Sequence, residues 1–344
     1  MDFAKILAGE LNVPEQYVSA AIRLIDEGNT IPFIARYRKE ATNAMDDQVL
    51  RQLADRLEYL RGLEKRKGEV AATIEELGAM TPELQKALDA AKTLAEVEDI
   101  YRPYKPKRKT RASVAKARGL EPLAQAIFAQ KPGLDVNAEA AKYINDEVPD
   151  AEAALAGARD IIAEQVSDDA ALRAQLRRFY QTFGLVKSRT AKEEDSVYAG
   201  YYDFSQAVNK IAGHRVLALD RGEREGFLKV TVEVDAEKAV GGIRRMFVKA
   251  GGGPSAAQVS AAVEDAYTRL IHPSLEREVR SNLSDEAAEG AIQVFGENLR
   301  QLLLQPPIKG KVALGMDPGY RMGCKLAVVD ETGKVLDTAV VYPV

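Results

Sequence analysis

The chain has 344 residues, 46% hydrophobic and 29% charged, with a formal net charge of −4. That balance excludes a disordered polyelectrolyte and a uniformly basic nucleic-acid coat, and the length suits two or three domains. A lone cysteine, Cys324, excludes an intrachain disulfide framework, and no stretch reaches the roughly 20 apolar residues that span a bilayer. A cytoplasmic protein without a membrane segment is therefore expected, and the opening MDFAKILAGELNVPEQ lacks a signal-peptide core.

Abundant Ala, Leu, Glu, Lys and Arg favour helix, so the fold class expected is mainly α and multidomain. Residues 1–45 read as short helices. Pro14 suits a first turn, Val13, Tyr17, Ala21 and Ile25 share a face, and Gly28 is a stop. A second short helix opens near Pro32 and carries Arg36, Arg38 and Lys39. The pair fits a helix-turn-helix and, equally, two ordinary packed helices.

Residues 46–78 predict the longest helix, capped by Asp46 or Asp47, with Leu50, Leu53, Leu57 and Leu60 on one stripe. The stripe lapses at Glu64–Glu69, read as a solvent-bridging stretch, and resumes at Val70, Ile74 and Leu77. Further helices are expected from Pro82, Leu94, Arg111, Glu121, Ala138, Ala151, Asp169 and Phe204. His214–Asp235 reads as a β-hairpin, with GLVKSRT from Gly184 as its partner strand.

A helix from Ala236 leads to AGGGPS at residues 250–255, which reads as a linker or as a helix-to-helix turn capped by Ser255. Residues 255–304 predict three helices, split at Pro273 and capped by Ser284. After Pro306 and Pro307 the pattern becomes strand, turn, strand, turn, strand, with Glu331–Lys334 as the second turn. Three strands without helices on their faces read as the start of an α/β unit. The domains expected are residues 1–45, 46–250, 251–310 and 311–344.

The densest chemical signal is YRPYKPKRKTRASVAKAR, which holds eight cations and no acid: Arg102, Lys105, Lys107, Arg108, Lys109, Arg111, Lys116 and Arg118. Clustered cations release counterions from phosphates, and the interleaved Tyr101 and Tyr104 could stack on unpaired bases. The competing reading is a basic loop neutralised by Glu96, Glu98 and Asp99. Arg36, Arg38 and Lys39 form a weaker second group, while Arg244, Arg245, Arg173, Arg177 and Arg178 read as surface charge. In GMDPGYRMG, Asp317 ends a strand between glycines, as the first metal-binding carboxylate does in ribonuclease-H-like folds. Two-metal chemistry needs several converging acids, so Asp317 alone reads as vestigial and no catalytic residue, metal or cofactor is expected. His214 and His272 have no zinc-ligand spacing, and Gly251–Gly253 lack the Lys-Ser/Thr of a P-loop.

Five strings resemble the Tex family of bacterial transcription accessory proteins: IPFIARYRKEAT (Ile31–Thr42), AEVEDIYRPYKPKRKTRA (Ala95–Ala112), ARGLEPLA (Ala117–Ala124), RLIHPSLEREVRSNL (Arg269–Leu283) and VALGMDPGYRMGCKLAVVD (Val312–Asp330). The resemblance runs in order along the whole chain. It implies a helix-turn-helix-like N-terminal region, a central helical domain and a YqgF-like, ribonuclease-H-like domain from near Lys311. In the family, helix-hairpin-helix elements and an S1 RNA-binding domain follow, and the chain ends before both. The family's layout is similar to that of a eukaryotic elongation factor that chaperones histones, and its YqgF-like domain is thought not to be a nuclease.

Three functions are thus in play. The leading one is RNA and/or DNA binding by basic surfaces on a helical scaffold near the transcription machinery. The second is a metal-dependent nuclease or resolvase using Asp317. The third is a protein scaffold whose basic loop docks an acidic partner. Oligomeric state is not readable.

Overall fold

The computed structural model describes residues 2–107, 109–192, 194–306, 309–319 and 322–342. Two compact units emerge: residues 1–187, 205–209 and 231–279, and residues 188–204, 210–230 and 280–344.

The first unit begins with α1 (Phe3–Leu11), α2 (Glu15–Asp26) and α3 (Ile31–Tyr37), which pack on the first half of α4 (Asp47–Glu76). The expected leucine stripe is the reason: Leu50, Leu53, Leu57 and Leu60 are buried against Leu7, Val18, Ala21 and Ile34. Each fully buried Leu or Ile contributes about 1.5–3 kcal/mol relative to exposure. Asp46 caps α4, its side chain accepting from the Val49 amide at 2.8 Å.

The second half of α4 packs against α5 (Pro82–Ala90) and α6 (Leu94–Tyr101) through Leu63, Val70, Ile74, Leu88, Val97 and Tyr101. The charged run does not bridge solvent there. Lys67 is buried, and its ammonium donates to the Asp89 carbonyl at 3.0 Å beside Glu64 at 3.1 Å. Its aliphatic stem continues the stripe while its tip reaches polar partners.

Helices α7 (Arg111–Ala117), α8 (Glu121–Ala129), α9 (Val136–Ala141) and α10 (Ala151–Ser167) follow, then α11 (Ala170–Phe183). α10 is the hub, buried through Ala154, Ala158, Ile162 and Val166 and contacting α7, α8, α9 and α14 (Gly253–Asp265). α13 (Ala236–Phe247) precedes α14. Gly251 and Gly253 adopt positive φ, Pro254 opens α14, and Ser255 is buried inside it without a hydroxyl partner among the described residues. The triglycine is therefore a helix-to-helix turn, and its cap is Gly252, not Ser255.

Strands β1 (Leu185–Thr190), β2 (Asp203–Ala207) and β3 (Leu228–Glu233) form a sheet in the order β2-β1-β3, so GLVKSRT does pair with the strand expected from the hairpin. The first arm of that hairpin is instead a helix, α12 (Gly213–Arg224). Val216, Leu219 and Gly222 recur every three residues and are buried, a helical spacing that outweighs the local alternation. A side chain at Gly222 would put its Cβ 2.6 Å from Leu228 Cδ1. Phe204, expected to begin a helix, lies in β2.

Helix α15 (His272–Leu303) is continuous: neither Pro273 nor Ser284 interrupts it. A π-helical turn, Ala266–Ile271, precedes it and widens the backbone where the Pro273 ring would otherwise crowd the Arg269 carbonyl. Ser284 lies mid-helix, donating to Asp220 at 2.6 Å. The final antiparallel sheet, β4 (Ala313–Asp317), β5 (Cys324–Val329) and β6 (Val335–Val341), has the three-strand order expected. Asp330 Oδ1 closes its second turn, accepting from the amides of Thr332 at 2.8 Å and Lys334 at 3.0 Å. Among the described residues, no helix is long and apolar enough to cross a membrane.

Candidate nucleic-acid interface

The basic segment Tyr101–Arg118 leaves α6, crosses a short loop and enters α7. Thr110 caps α7, its hydroxyl accepting from the Ser113 amide at 3.0 Å while Ser113 Oγ accepts from the Thr110 amide at 2.8 Å. Ala112 and Ala115 then seat the helix on α10.

Most of the segment's cations meet carboxylates. Arg102 pairs with Asp168 at 3.1 Å, and Lys107 pairs with the same Asp168 and with Glu164 at 3.4 Å. Asp168 is nine-tenths buried, so these two pairs fasten the loop to the end of α10. Lys105 faces Glu98 at 3.8 Å, Lys116 faces Glu121 at 3.2 Å, and Arg118 faces Glu147 at 3.9 Å. The side chains of Lys109 and Arg111 are exposed and make no hydrogen bond or close ion pair among the described residues, although the charge of Arg111 acts on Asp160 nearby. Arg108 lies outside the described residues. Neutralisation therefore comes from Glu98, as the sequence suggested, but chiefly from Glu164 and Asp168, more than fifty positions away.

The two tyrosines are placed differently: Tyr101 is buried, whereas Tyr104 is half-buried. Tyr101 is buried in the α4–α6 core beneath the Arg66 guanidinium, 5.5 Å from its ring centre, and Tyr104 packs on the same cluster. The buried Tyr101 ring has no face to offer a base.

Asp99 is occupied elsewhere. It accepts from Arg173 Nε and from Arg177 Nη2, both at 2.8 Å, and Glu278 also binds Arg177. Arg173 and Arg177, read as surface charge, are thus interior. Burial, helped by the charge of Arg102, lowers the Arg173 pKa. For Arg177 burial works the same way, but bonds to Glu278 and Asp99 outweigh it and raise the pKa. Arg173 Nη1 has no partner among the described residues.

The second basic group is unmasked. Arg36, Arg38 and Lys39 are exposed at the end of α3, and none makes an ion pair among the described residues. The Arg38 guanidinium lies over Phe33, 5.3 Å from its centre. Tyr37, overlooked in the sequence, is 62% exposed between them. Its signal was its place in ARYRK: the aromatic stands amid cations, while the buried face of α3 runs through Ile34.

A cavity of about 540 Å³ opens beside α7, lined by Lys109, Arg111 and Arg118 with the small floor residues Ala153, Ala156 and Gly157 of α10. Asp160 also lines it, but pairs with Arg269 at 3.1 Å; burial raises its pKa despite that charge.

Asp317 lies at the end of β4 with Lys325 as its strand partner. Among the described residues, no group of three His, Cys, Asp or Glu side chains is arranged to hold a metal ion. Tyr180 Oη hydrogen-bonds His272 Nδ1 at 2.6 Å, so that histidine is engaged within the helical core.

Comparison with known proteins finds relatives along the chain. Three family models match: Tex-like protein N-terminal domain over residues 1–75, Tex central region-like over 131–295, and Tex protein YqgF-like domain over 311–344. The chain is 45% identical to the uncharacterized protein YdcI of Bacillus subtilis, over 98% of this chain and 48% of that one. It is 41% identical to the transcriptional accessory protein Tex of Neisseria gonorrhoeae, over 99% of this chain and 46% of that one. The human S1 RNA-binding domain-containing protein 1 is 32% identical over 99% of this chain and 36% of its own. The chain thus spans about half the length of the bacterial relatives it matches.

Proposed function

This chain belongs to the Tex family, and on that premise we propose that it is a non-catalytic, cytoplasmic nucleic-acid-binding part of a transcription accessory factor. The observation that carries the reading is the division of the basic segment. Arg102 and Lys107 are fastened to Asp168, while Lys109 and Arg111 line the α7 cavity with no close ion-pair partner among the described residues. Fastening one end of the loop fixes where the free cations point, so a phosphate meets them without the cost of ordering a mobile arm. The names of the relatives, a transcriptional accessory protein and an S1 RNA-binding domain-containing protein, support the same class of partner. The helix-turn-helix expected of α2 and α3 remains part of this proposal, as does contact with the transcription machinery.

Charge reversal at Lys109 and Arg111 tests it. The double variant should bind single-stranded RNA and duplex DNA more weakly across sequences, with a salt slope shallower by about two. Unchanged affinity and slope would remove the segment as a contact.

A second reading is favoured by the ion pairs themselves: the segment is an internal clamp of a protein-interaction scaffold, whose free tip docks an acidic partner. Failure of nucleic acid to compete with that partner would support it. Asp317 as the metal-binding acid of a nuclease is the weakest reading, because its strand partner is a lysine. Magnesium-dependent cleavage abolished by Asp317→Asn would restore it.

A further inference from the structure

We propose that Tyr37, at the end of α3, is a stacking platform for an unpaired base, which gives the chain a contact specific to single-stranded nucleic acid. The inference rests on the nucleic-acid reading above and assigns a part of it to a residue outside the basic segment.

An exposed tyrosine is ordinary when it stands alone, and this one does not. The residue is 62% exposed, and Arg36, Arg38 and Lys39 beside it carry no ion-pair partner among the described residues. The ring packs against Phe33, with centres 5.2 Å apart and planes tilted by 47°. The Arg38 guanidinium lies over that same Phe33 and donates to the Tyr37 carbonyl at 3.2 Å, so cation and exposed aromatic are held together. Sequence-tolerant single-strand binding needs this combination: cations track the backbone while an aromatic face accepts any base. A duplex keeps its bases stacked on one another and offers Tyr37 only phosphates.

The platform is also held in place. Ile34 is fully buried and anchors α3 in the core with α4. The Arg38 carbonyl accepts from the amides of Ala41 at 3.1 Å and Thr42 at 3.2 Å and from Thr42 Oγ1 at 3.1 Å, and the Lys39 carbonyl accepts from the Ala44 amide at 2.7 Å. To make these bonds, Asn43 and Ala44 take left-handed backbone, with φ of 52° and 54°. Left-handed backbone is unfavourable for a residue with a Cβ, Ala in particular, and persists only where the surroundings fix it. The cations and the ring are thereby presented by a fixed turn.

Fluorescence anisotropy on the whole chain tests this with two probes, a labelled oligouridylate of about a dozen nucleotides and a duplex DNA of the same length. Tyr37→Ala should weaken oligouridylate binding about tenfold and leave the duplex affinity within about twofold, Tyr37→Phe should bind as the wild type does, and Arg36→Gln with Lys39→Gln should weaken both probes. Tyr37→Leu keeps an apolar contact on Phe33 without a π face and should behave like the alanine variant, which separates stacking from folding. Equal oligouridylate affinity in wild type and Tyr37→Ala would overturn the platform while leaving the wider nucleic-acid reading intact. Loss of both probes in Tyr37→Leu would also overturn it, because the residue would then act without regard to strandedness. Wild-type protein that binds neither probe at low salt would end both proposals.

Discussion

Asp99 accepts a hydrogen bond from Arg173 Nε at 2.8 Å with both side chains more than nine-tenths buried. The pair joins α6 to α11, and Arg177 and Glu278 extend it to α15. Removing one partner of a buried ion pair leaves a charge with neither water nor counter-ion. Asp99→Ala removes the nearest partner of Arg173, leaving it Glu278 at 3.7 Å, and half of the support of Arg177, and it should cost about 3 kcal/mol in chemical denaturation. An exposed pair would cost less than about 1 kcal/mol, so a value in that range would show the interior to be wetter than its burial implies.

Asp168 faces the opposite outcome, because its partners are the very cations proposed to sit behind the interface. Asp168→Asn keeps the shape of the side chain and removes its charge, so Arg102 and Lys107 lose their main counter-ion. The variant should melt earlier, by about 1–3 kcal/mol of stability. It should nonetheless bind nucleic acid more tightly at low salt, with a slope steeper by up to about two, as two masked cations become available. Lower stability with unchanged binding would mean that Arg102 and Lys107 cannot reach a ligand even when released.

These pairs show what the sequence could and could not tell. The α4 stripe, the cap at Asp46, the helix starts near Leu94, Ala151 and Asp169, and the last three strands were legible because periodicity and capping are local. What the sequence could not supply was the partner: Asp168 stands 61 residues from Lys107, and Asp99 stands 74 from Arg173. Arginines on a helix default to the surface unless a distant carboxylate shares the core, and no local pattern announces that. The failure at α12 was of another kind. VLALD alternates over a few residues, and only the third-residue burial of Val216, Leu219 and Gly222 separates helix from strand. Tyr37 was hidden because burial decides whether an aromatic among cations is core or surface, and burial is a tertiary property.

The N-terminal helices should respond to acid in a defined direction. Arg56 grips Glu10 with both ends of its fork, at 2.7 and 2.8 Å, and Arg61 grips Asp26 likewise. The Arg56 hydrogen bond, against a smaller desolvation effect, lowers the Glu10 pKa, and Arg61 does the same for Asp26. A carboxylate whose folded pKa is depressed stabilises the fold above its unfolded pKa, and the contribution is lost as pH falls through the folded value. The docking of α1 and α2 on α4 should therefore be constant near neutrality and weaken below the ordinary carboxylate range. Both pairs are substantially exposed, so the effect is small and screened by salt. Amide hydrogen exchange in α1 and α2, expressed as protection relative to the intrinsic rate at each pH, should show protection that falls at low pH in wild type and stays constant in Glu10→Gln with Asp26→Asn.

Gly157 sets how closely α10 meets the segment that carries the basic residues. A Cβ there would lie 2.4 Å from Leu120 Cδ1 and 3.3 Å from Ala115 Cβ, and both of those side chains are buried. Two effects oppose each other in Gly157→Ala. Helix propensity favours alanine by about 0.8–1.0 kcal/mol, whereas forcing a methyl into a packed interface costs about 1–3 kcal/mol. Leu120 is only 1% exposed and cannot swing into solvent, so the steric cost wins and the variant should lose about 1 kcal/mol net. The loss should be accompanied by a shift of α7, and with it of Lys109 and Arg111, visible as altered amide chemical shifts from Thr110 to Arg118. A variant at least as stable as wild type, with those shifts unchanged, would mean that α7 is not seated on α10 as closely as the geometry requires.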